Sequence, residues 1–248
     1  NDLRALDLSD VDVVLDCTGI ARTSDVARRG LEAGARNVLI SGPSPAADIT
    51  CVLGANDAQM GSSRVVSNAS CTTNALAPLV VELDRLAGIR FAHMTTIHCY
   101  TNSQPLVDAP RGDLARSRAA ALSMVPTTSS AVSLIDTVLP HLRGHVTGSA
   151  VRVPTASVSA IDLIATVERP AIDWIEALRE MAERAAVLGC IDAPLVSSDL
   201  RARPESLVIA LPETRAAGDQ IRIFGWYDNE WGFSARMLEM AHLMAERD

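Results

Sequence analysis

The strongest constraint on how this chain folds lies near its start, where an apolar run, a helical stretch and a second apolar run follow one another. Val11-Asp-Val-Val-Leu-Asp-Cys-Thr-Gly19 reads as a buried strand ending in a glycine turn. A helical stretch from Arg22 to Ala33, stopped by Gly34, leads to a second strand over Asn37 to Ser41. So short a unit predicts a parallel crossover, because parallel strands need a helix-length connection. Such sheets collect ligands at the carboxyl ends of their strands, here near Thr18-Gly19 and Ser41-Gly42-Pro43.

Ser67-Asn-Ala-Ser-Cys-Thr-Thr-Asn74 then leads into a helix whose Leu76, Leu79, Leu83 and Leu86 recur at steps of three and four. Pro78 is acceptable only near the start of that helix. Beyond Phe91, long alternating segments, Ala150 to Val167 and Gln220 to Tyr227, interleave with helices at about Ser130 to Val138 and Asp173 to Leu188. This texture predicts a sheet packed on helices, not more crossover units. A last helix, about Gly232 to Glu246, carries Phe233, Met237, Met240 and Met244 as a core-facing stripe.

The 248 residues, 48% of them hydrophobic, can fill a sizeable core. A net charge of -8 with scattered arginines excludes the basic stripe that nucleic acid or an anionic membrane requires. No apolar run approaches the ~20 residues that span a bilayer, and no basic-then-apolar leader opens the sequence, so a soluble cytoplasmic protein is expected. Cys17, Cys51, Cys71, Cys99 and Cys190 are odd in number and lack CxxC spacing. Reduced thiols follow, with neither a disulfide framework nor a metal site.

Cys71 begins the leucine-striped helix. Backbone N–H groups and the positive end of the helix dipole favour a thiolate there, by roughly 0.3–1 kcal/mol at exposed positions. Thiolates attack carbonyl carbon, so Cys71, flanked by Ser70, Thr72 and Thr73, sits where a nucleophile would be built. A cysteine without context is more often a buried structural residue, and that reading is kept for Cys17, Cys51, Cys99 and Cys190. A base must accompany the thiol, and five histidines are available. His98 ends the run Phe91-Ala-His-Met-Thr-Thr-Ile-His98 and precedes the polar Tyr100-Thr101-Asn102, where a strand end opens onto a cleft. His93 lies on the opposite face of an ideal strand. Spacing alone leaves open whether His98 is a base or a structural residue.

Five motifs occur together. Ser67-Asn-Ala-Ser-Cys-Thr-Thr-Asn74, His98-Cys-Tyr-Thr-Asn102, Arg118-Ala-Ala-Ala with Val125-Pro-Thr-Thr128, Arg152-Val-Pro-Thr155 and Trp226-Tyr-Asp-Asn-Glu-Trp-Gly232 have the order and spacing of phosphorylating glyceraldehyde-3-phosphate dehydrogenase, a family the chain resembles from Val11 onward. The resemblance implies part of a Rossmann-type dinucleotide-binding sheet in residues 1–70. A catalytic domain of mixed sheet on helices would follow over 71–231, and a C-terminal helix, 232–248, would return to the first domain. It implies Cys71 as the nucleophile that forms a hemithioacetal and His98 as base and electrostatic partner. Hydride then leaves to a nicotinamide, and inorganic phosphate attacks the resulting thioester. Arg116 and Arg152 match the arginines that hold substrate and inorganic phosphate. Ser70, Thr73, Thr101, Ser129 and Ser130 supply hydroxyls, and Ser129-Ser130 also opens a helix, which suits an anion. Thr18, Gly19 and Ser41 match positions lining the dinucleotide cleft, and Asn229 the residue that orients the nicotinamide carboxamide. A glycolytic homotetramer is the implied assembly. NAD is the implied cofactor, with NADP left open because Ala109-Pro110 stands where NAD-preferring members have Leu-Pro.

The chain also departs from the pattern. No GxGxxG follows any strand; the family carries that phosphate cradle in an earlier crossover segment, and residue 1 is Asn, so a fragment of a longer protein is expected. Ser103 replaces the acidic residue after Tyr-Thr-Asn, Ala75 the second cysteine, Ser130 a glycine, and Phe233 a tyrosine. The last change is also compatible with erythrose-4-phosphate dehydrogenase, which shares the mechanism, although His98-Cys-Tyr-Thr-Asn102 favours the triose enzyme. Two other classes compete: a non-catalytic partner subunit, and an ester or thioester hydrolase that needs no nicotinamide.

Overall fold

The early crossover forms as its pattern predicts. The computed structural model describes residues 2–110 and 112–247. In it, β1 (Val13–Asp16) runs parallel to β2 (Asn37–Ile40), joined by α1 (Ser24–Glu32). β3 (Ile49–Thr50) and β4 (Val65–Ser67) complete a parallel four-stranded sheet in the order β1-β2-β4-β3. β2 is buried along its whole length, which is why Asn37-Val-Leu-Ile40 shows no polar alternation. α1 begins later than Arg22 because extended Thr23 forms its N-cap, its carbonyl accepting from Ala27 N–H at 2.9 Å.

α2 (Cys71–Ala87) is the central helix, and Pro78 stands in its interior, not in its first turn. Interior proline costs about 3 kcal/mol in an isolated helix. Here Leu76, Leu79 and Leu83 are wholly buried in the main core with Ile161, Leu163 and Ile223, and that packing offsets the break.

The second sheet contains β5 (Ile89–Cys99), β6 (Val125–Thr127), β7 (Val146–Val153), β8 (Ser159–Val167), β9 (Leu188–Ile191), β10 (Leu207–Ala210), β11 (Arg215–Ala217) and β12 (Gln220–Tyr227). Its order is β6-β7-β5-β8-β12-β10-β9, with β11 on β12, and it mixes parallel and antiparallel pairs. The segment Ala150 to Val167 is therefore two strands. Pro154 lacks the N–H that would continue the ladder, and Val158 turns the chain at a φ of 65°. α3 (Ala131–Val138) and α4 (Trp174–Arg184) contribute to the core under this sheet. α4 stops before Leu188, which opens β9, and Asp173 caps its start by accepting from Ile175 and Glu176 N–H at 3.0 and 3.1 Å.

In α5 (Trp231–Ala245), Met237, Met240 and Met244 pack on Leu39 and Val66, so the last helix covers the parallel sheet. The architecture is an α/β parallel sheet followed by a mixed sheet on helices. Among the described residues, no helix is long and apolar enough to cross a membrane.

Candidate active site

A tight turn between β4 and α2 places the thiol. Ala69 adopts a φ of 56°, a left-handed conformation costing a non-glycine residue on the order of 1 kcal/mol, and is fully buried. Its N–H donates to Ser67 Oγ at 3.3 Å, while the Asn74 side-chain amide donates to the carbonyls of Asn68 and Ser70 at 2.7 and 3.0 Å. Ser70 becomes the N-cap of α2, its Oγ accepting from Thr73 N–H at 3.2 Å. Cys71 is thus the first residue of the helix, half-buried.

β5 delivers His98 to the same place: Cys71 Sγ lies 3.7 Å from His98 Nε2. The other ring nitrogen, Nδ1, lies 2.7 Å from the carbonyl of Cys99 and 2.7 Å from Arg152 Nη1. Both contacts cannot be hydrogen bonds at once. A carbonyl can only accept, so Nδ1 carries the hydrogen, and the Arg152 N–H is satisfied by the same carbonyl at 3.1 Å. Nε2 is then left as an acceptor aimed at the thiol, the tautomer a general base needs. Burial holds the Cys71 thiol above its usual range, opposed by Thr72 and by the charge of Arg152. Both shifts favour the uncharged pair of thiol and imidazole.

Burial first, and the Arg152 charge second, push His98 down to about 4 from an ordinary 6.5, against the pull of the Cys99 carbonyl. The folded value lies below the unfolded one, so between them the unfolded chain binds more protons. The stability contributed by neutral His98 is complete above pH 6.5 and is lost as pH falls toward 4, a loss of roughly 3 kcal/mol. Denaturant unfolding across this window should show a shallower loss in His98→Gln than in the parent chain; identical slopes would remove His98 as a cause.

A cavity of about 500 Å³ brings together Cys71, His98, Ser70, Thr101, Arg116, Ser129, Ser130 and Arg152. Thr73 is not among them. It is fully buried, and its hydroxyl meets Ser70 Oγ at 2.7 Å, tightening the cap beneath the thiol. Arg116 is anchored by Nε to Thr127 Oγ1 at 2.9 Å and reaches Asp113 at 3.4 Å. Among the described residues, no carboxylate pairs with Arg152. Its charge faces the cavity beside His98, which suits an anionic ligand. Ser129 Oγ accepts from Ala131 N–H at 3.2 Å where α3 begins.

Three further residues build the site. Tyr227, buried, meets Thr72 Oγ1 and Thr96 Oγ1 at 2.9 Å each and sets its ring edge-on to His98 at 6.0 Å. Thr72 and Thr96 also line the cavity. The only sequence signal for Tyr227 was its place beside Asn229 in the Trp226 to Gly232 motif.

The carboxyl ends of β1 and β2 open at Gly19 and Ser41, which line a separate cleft of about 130 Å³ with Gly42 and Pro43. Thr18 lines the neighbouring, larger cavity of about 710 Å³, its hydroxyl on Asp16 Oδ1 at 2.5 Å. Cys17, expected to be a buried structural thiol, is exposed just past the end of β1. Asn229 stands apart from these, beside Cys99 and Ser159, whose S–H and O–H donate to its Oδ1 at 3.1 and 3.2 Å. Among the described residues its Nδ2 group has no partner, so it fits the carbonyl of a carboxamide. No cluster of three or more His, Cys, Asp or Glu among the described residues is placed to hold a metal ion.

The chain is similar to known proteins over nearly all of its length. A family model described as "Glyceraldehyde 3-phosphate dehydrogenase, C-terminal domain" matches residues 70–229. The glyceraldehyde-3-phosphate dehydrogenase of Pseudomonas aeruginosa is 47% identical over 242 residues, covering 96% of this chain and 72% of the relative. That of Kitasatospora aureofaciens is 45% identical over 243 residues, covering 96% and 73%. That of Mycobacterium tuberculosis is 44% identical over 241 residues, covering 95% and 71%.

Proposed function

This chain belongs to the glyceraldehyde 3-phosphate dehydrogenase family, and from that premise we propose that it oxidises glyceraldehyde 3-phosphate to 1,3-bisphosphoglycerate through a thioester on Cys71, using NAD and inorganic phosphate. The observation that carries the reading is the Cys71 to His98 contact at 3.7 Å inside a cavity that also holds Arg116 and Arg152. A thiol, a base and two anion-binding arginines around one space suit a phosphorylated aldehyde followed by phosphate.

Cys71 Sγ attacks the aldehyde carbon while His98 Nε2 takes the thiol proton and passes it to the former carbonyl oxygen, giving a hemithioacetal and a neutral imidazole. His98 then accepts the proton of the hemithioacetal hydroxyl as the carbon is oxidised. A bound nicotinamide dinucleotide would supply the hydride acceptor for that oxidation; Asn229 Nδ2 would hold its carboxamide, and Thr18 in one cavity and Gly19 and Ser41 in the adjoining cleft would line its path. Arg116 and Arg152, with the hydroxyls of Ser70, Thr101, Ser129 and Ser130, hold the substrate phosphate and the attacking phosphate. A phosphate oxygen attacks the thioester carbon, and the C–S bond breaks, returning the thiolate of Cys71 and releasing the acyl phosphate. An anion on Arg152 also offsets one of the two causes that hold His98 down, so the base strengthens as substrate arrives.

Residues 1–70 as part of the dinucleotide-binding domain, 71–231 as the catalytic domain, and a homotetramer belong to the same proposal. Packing of α5 on the parallel sheet supports the first. Leu114, Leu122 and Met124, 86%, 84% and 74% exposed, offer apolar surface for a partner subunit to cover.

The test is formation of reduced cofactor by the natural protein with glyceraldehyde 3-phosphate and, in parallel, erythrose 4-phosphate. The expected result is a rate that saturates with inorganic phosphate and a higher kcat/KM for the triose. A higher value for the tetrose would move the substrate assignment. No reduced cofactor with either aldehyde, while an activated ester is turned over without NAD, would favour the hydrolase instead.

A further inference from the structure

Asn229 can hold a carboxamide only if its own amide points the right way, and a free asparagine side chain rotates between orientations that exchange donor for acceptor. Three bonds prevent this. Ser159 Oγ accepts from Cys99 N–H at 3.1 Å and donates to Asn229 Oδ1 at 3.2 Å, with the Tyr227 hydroxyl also in reach. Cys99 Sγ–H reaches the same Oδ1 at 3.1 Å. The opposite orientation would place Nδ2 on sulfur, a weak acceptor. We propose that Cys99 is a positioning residue for the nicotinamide: its thiol, with the Ser159 hydroxyl, locks Oδ1 of Asn229 inward and leaves Nδ2 as the donor to the carboxamide. The inference rests on the assignment of Asn229 made above.

Cys99 is well suited to this. It is 1% exposed, and burial raises its thiol, so it stays protonated and remains a donor. It sits next to His98, yet the ring is held by the Cys99 carbonyl and not by its side chain. The side chain can therefore change without disturbing the bond that fixes the base.

Cys99→Ala removes one donor and Cys99→Ser keeps it. In Cys99→Ala the KM for NAD should rise about three- to tenfold, the range expected for one neutral hydrogen bond. The KM for the aldehyde and the alkylation rate of Cys71 should hold. Cys99→Ser should restore the parent KM. In the ligand-free protein, the Asn229 side-chain amide resonances should shift in Cys99→Ala and return in Cys99→Ser. If Asn229→Ala raises the KM for NAD but Cys99→Ala moves neither KM nor resonances, the positioning role is wrong. If Cys99→Ala raises the KM and Cys99→Ser fails to restore it, packing and not donation is responsible, which also overturns the proposal. If Asn229→Ala itself leaves the KM unchanged, the assignment of Asn229 falls, and the inference with it.

Discussion

Cys71→Ser is expected to lower kcat/KM for the aldehyde by at least about 10⁴-fold, the scale on which removal of a catalytic nucleophile acts. The contacts around residue 71 explain why so small a change is so severe. A serine hydroxyl is a far weaker acid than a thiol, and His98, held down to about 4, is too weak a base to activate it in the resting site. An oxygen ester would also resist attack by phosphate more than a thioester does. The fold should be unaffected, because Ser70 still caps α2 and residue 71 is only half-buried. Unfolding midpoints of parent and variant should agree. Thiol labelling must be read peptide by peptide, since Cys17 is exposed and will react as well. Activity within tenfold of the parent would mean that another group carries the acyl chain.

His98→Gln should reduce kcat by about 10²–10⁴-fold, the usual contribution of a positioned general base. The KM for the aldehyde should change far less, because Arg116 and Arg152 remain in the cavity. The pH profile separates loss of the base from general damage. In the parent, activity falls on the acid side as His98 takes a proton. In the variant that limb should vanish, and the rate should instead climb with pH as Cys71 ionises unaided, above its ordinary value of 9.0 because burial raises it. A variant that keeps the acid limb would assign it to a different group.

How far these features could be read in the residues differs from one to the next. The parallel crossover was legible because β1, α1 and β2 are local, and the buried run of β2 has a clear pattern. The start of α2 at Cys71 was legible as well, since Ser70 and Thr73 carry the cap in adjacent positions. Pro78 misled because only tertiary packing allows it inside a helix. The break at Pro154 was hidden by alternation that continues on both sides of it. Cys17 was expected to be buried because free cysteines usually are, whereas it lies exposed just past the end of β1. The Tyr227 hydroxyl between Thr72 and Thr96 joins residues 155 and 131 positions apart, a contact no local pattern encodes. Motif matching named Arg152 as a phosphate ligand. Only the structure places it 2.7 Å from His98, where its charge also governs the base.

The central claim is that Cys71 carries the substrate's acyl group. Mixing the natural protein with NAD and glyceraldehyde 3-phosphate, but no inorganic phosphate, tests it most directly. One equivalent of reduced cofactor should form per site and then stop, with an acyl adduct on the peptide containing Cys71, and added phosphate should clear the adduct and start steady turnover. Reduced cofactor without an adduct on that peptide, or turnover equally fast without phosphate, would contradict the account.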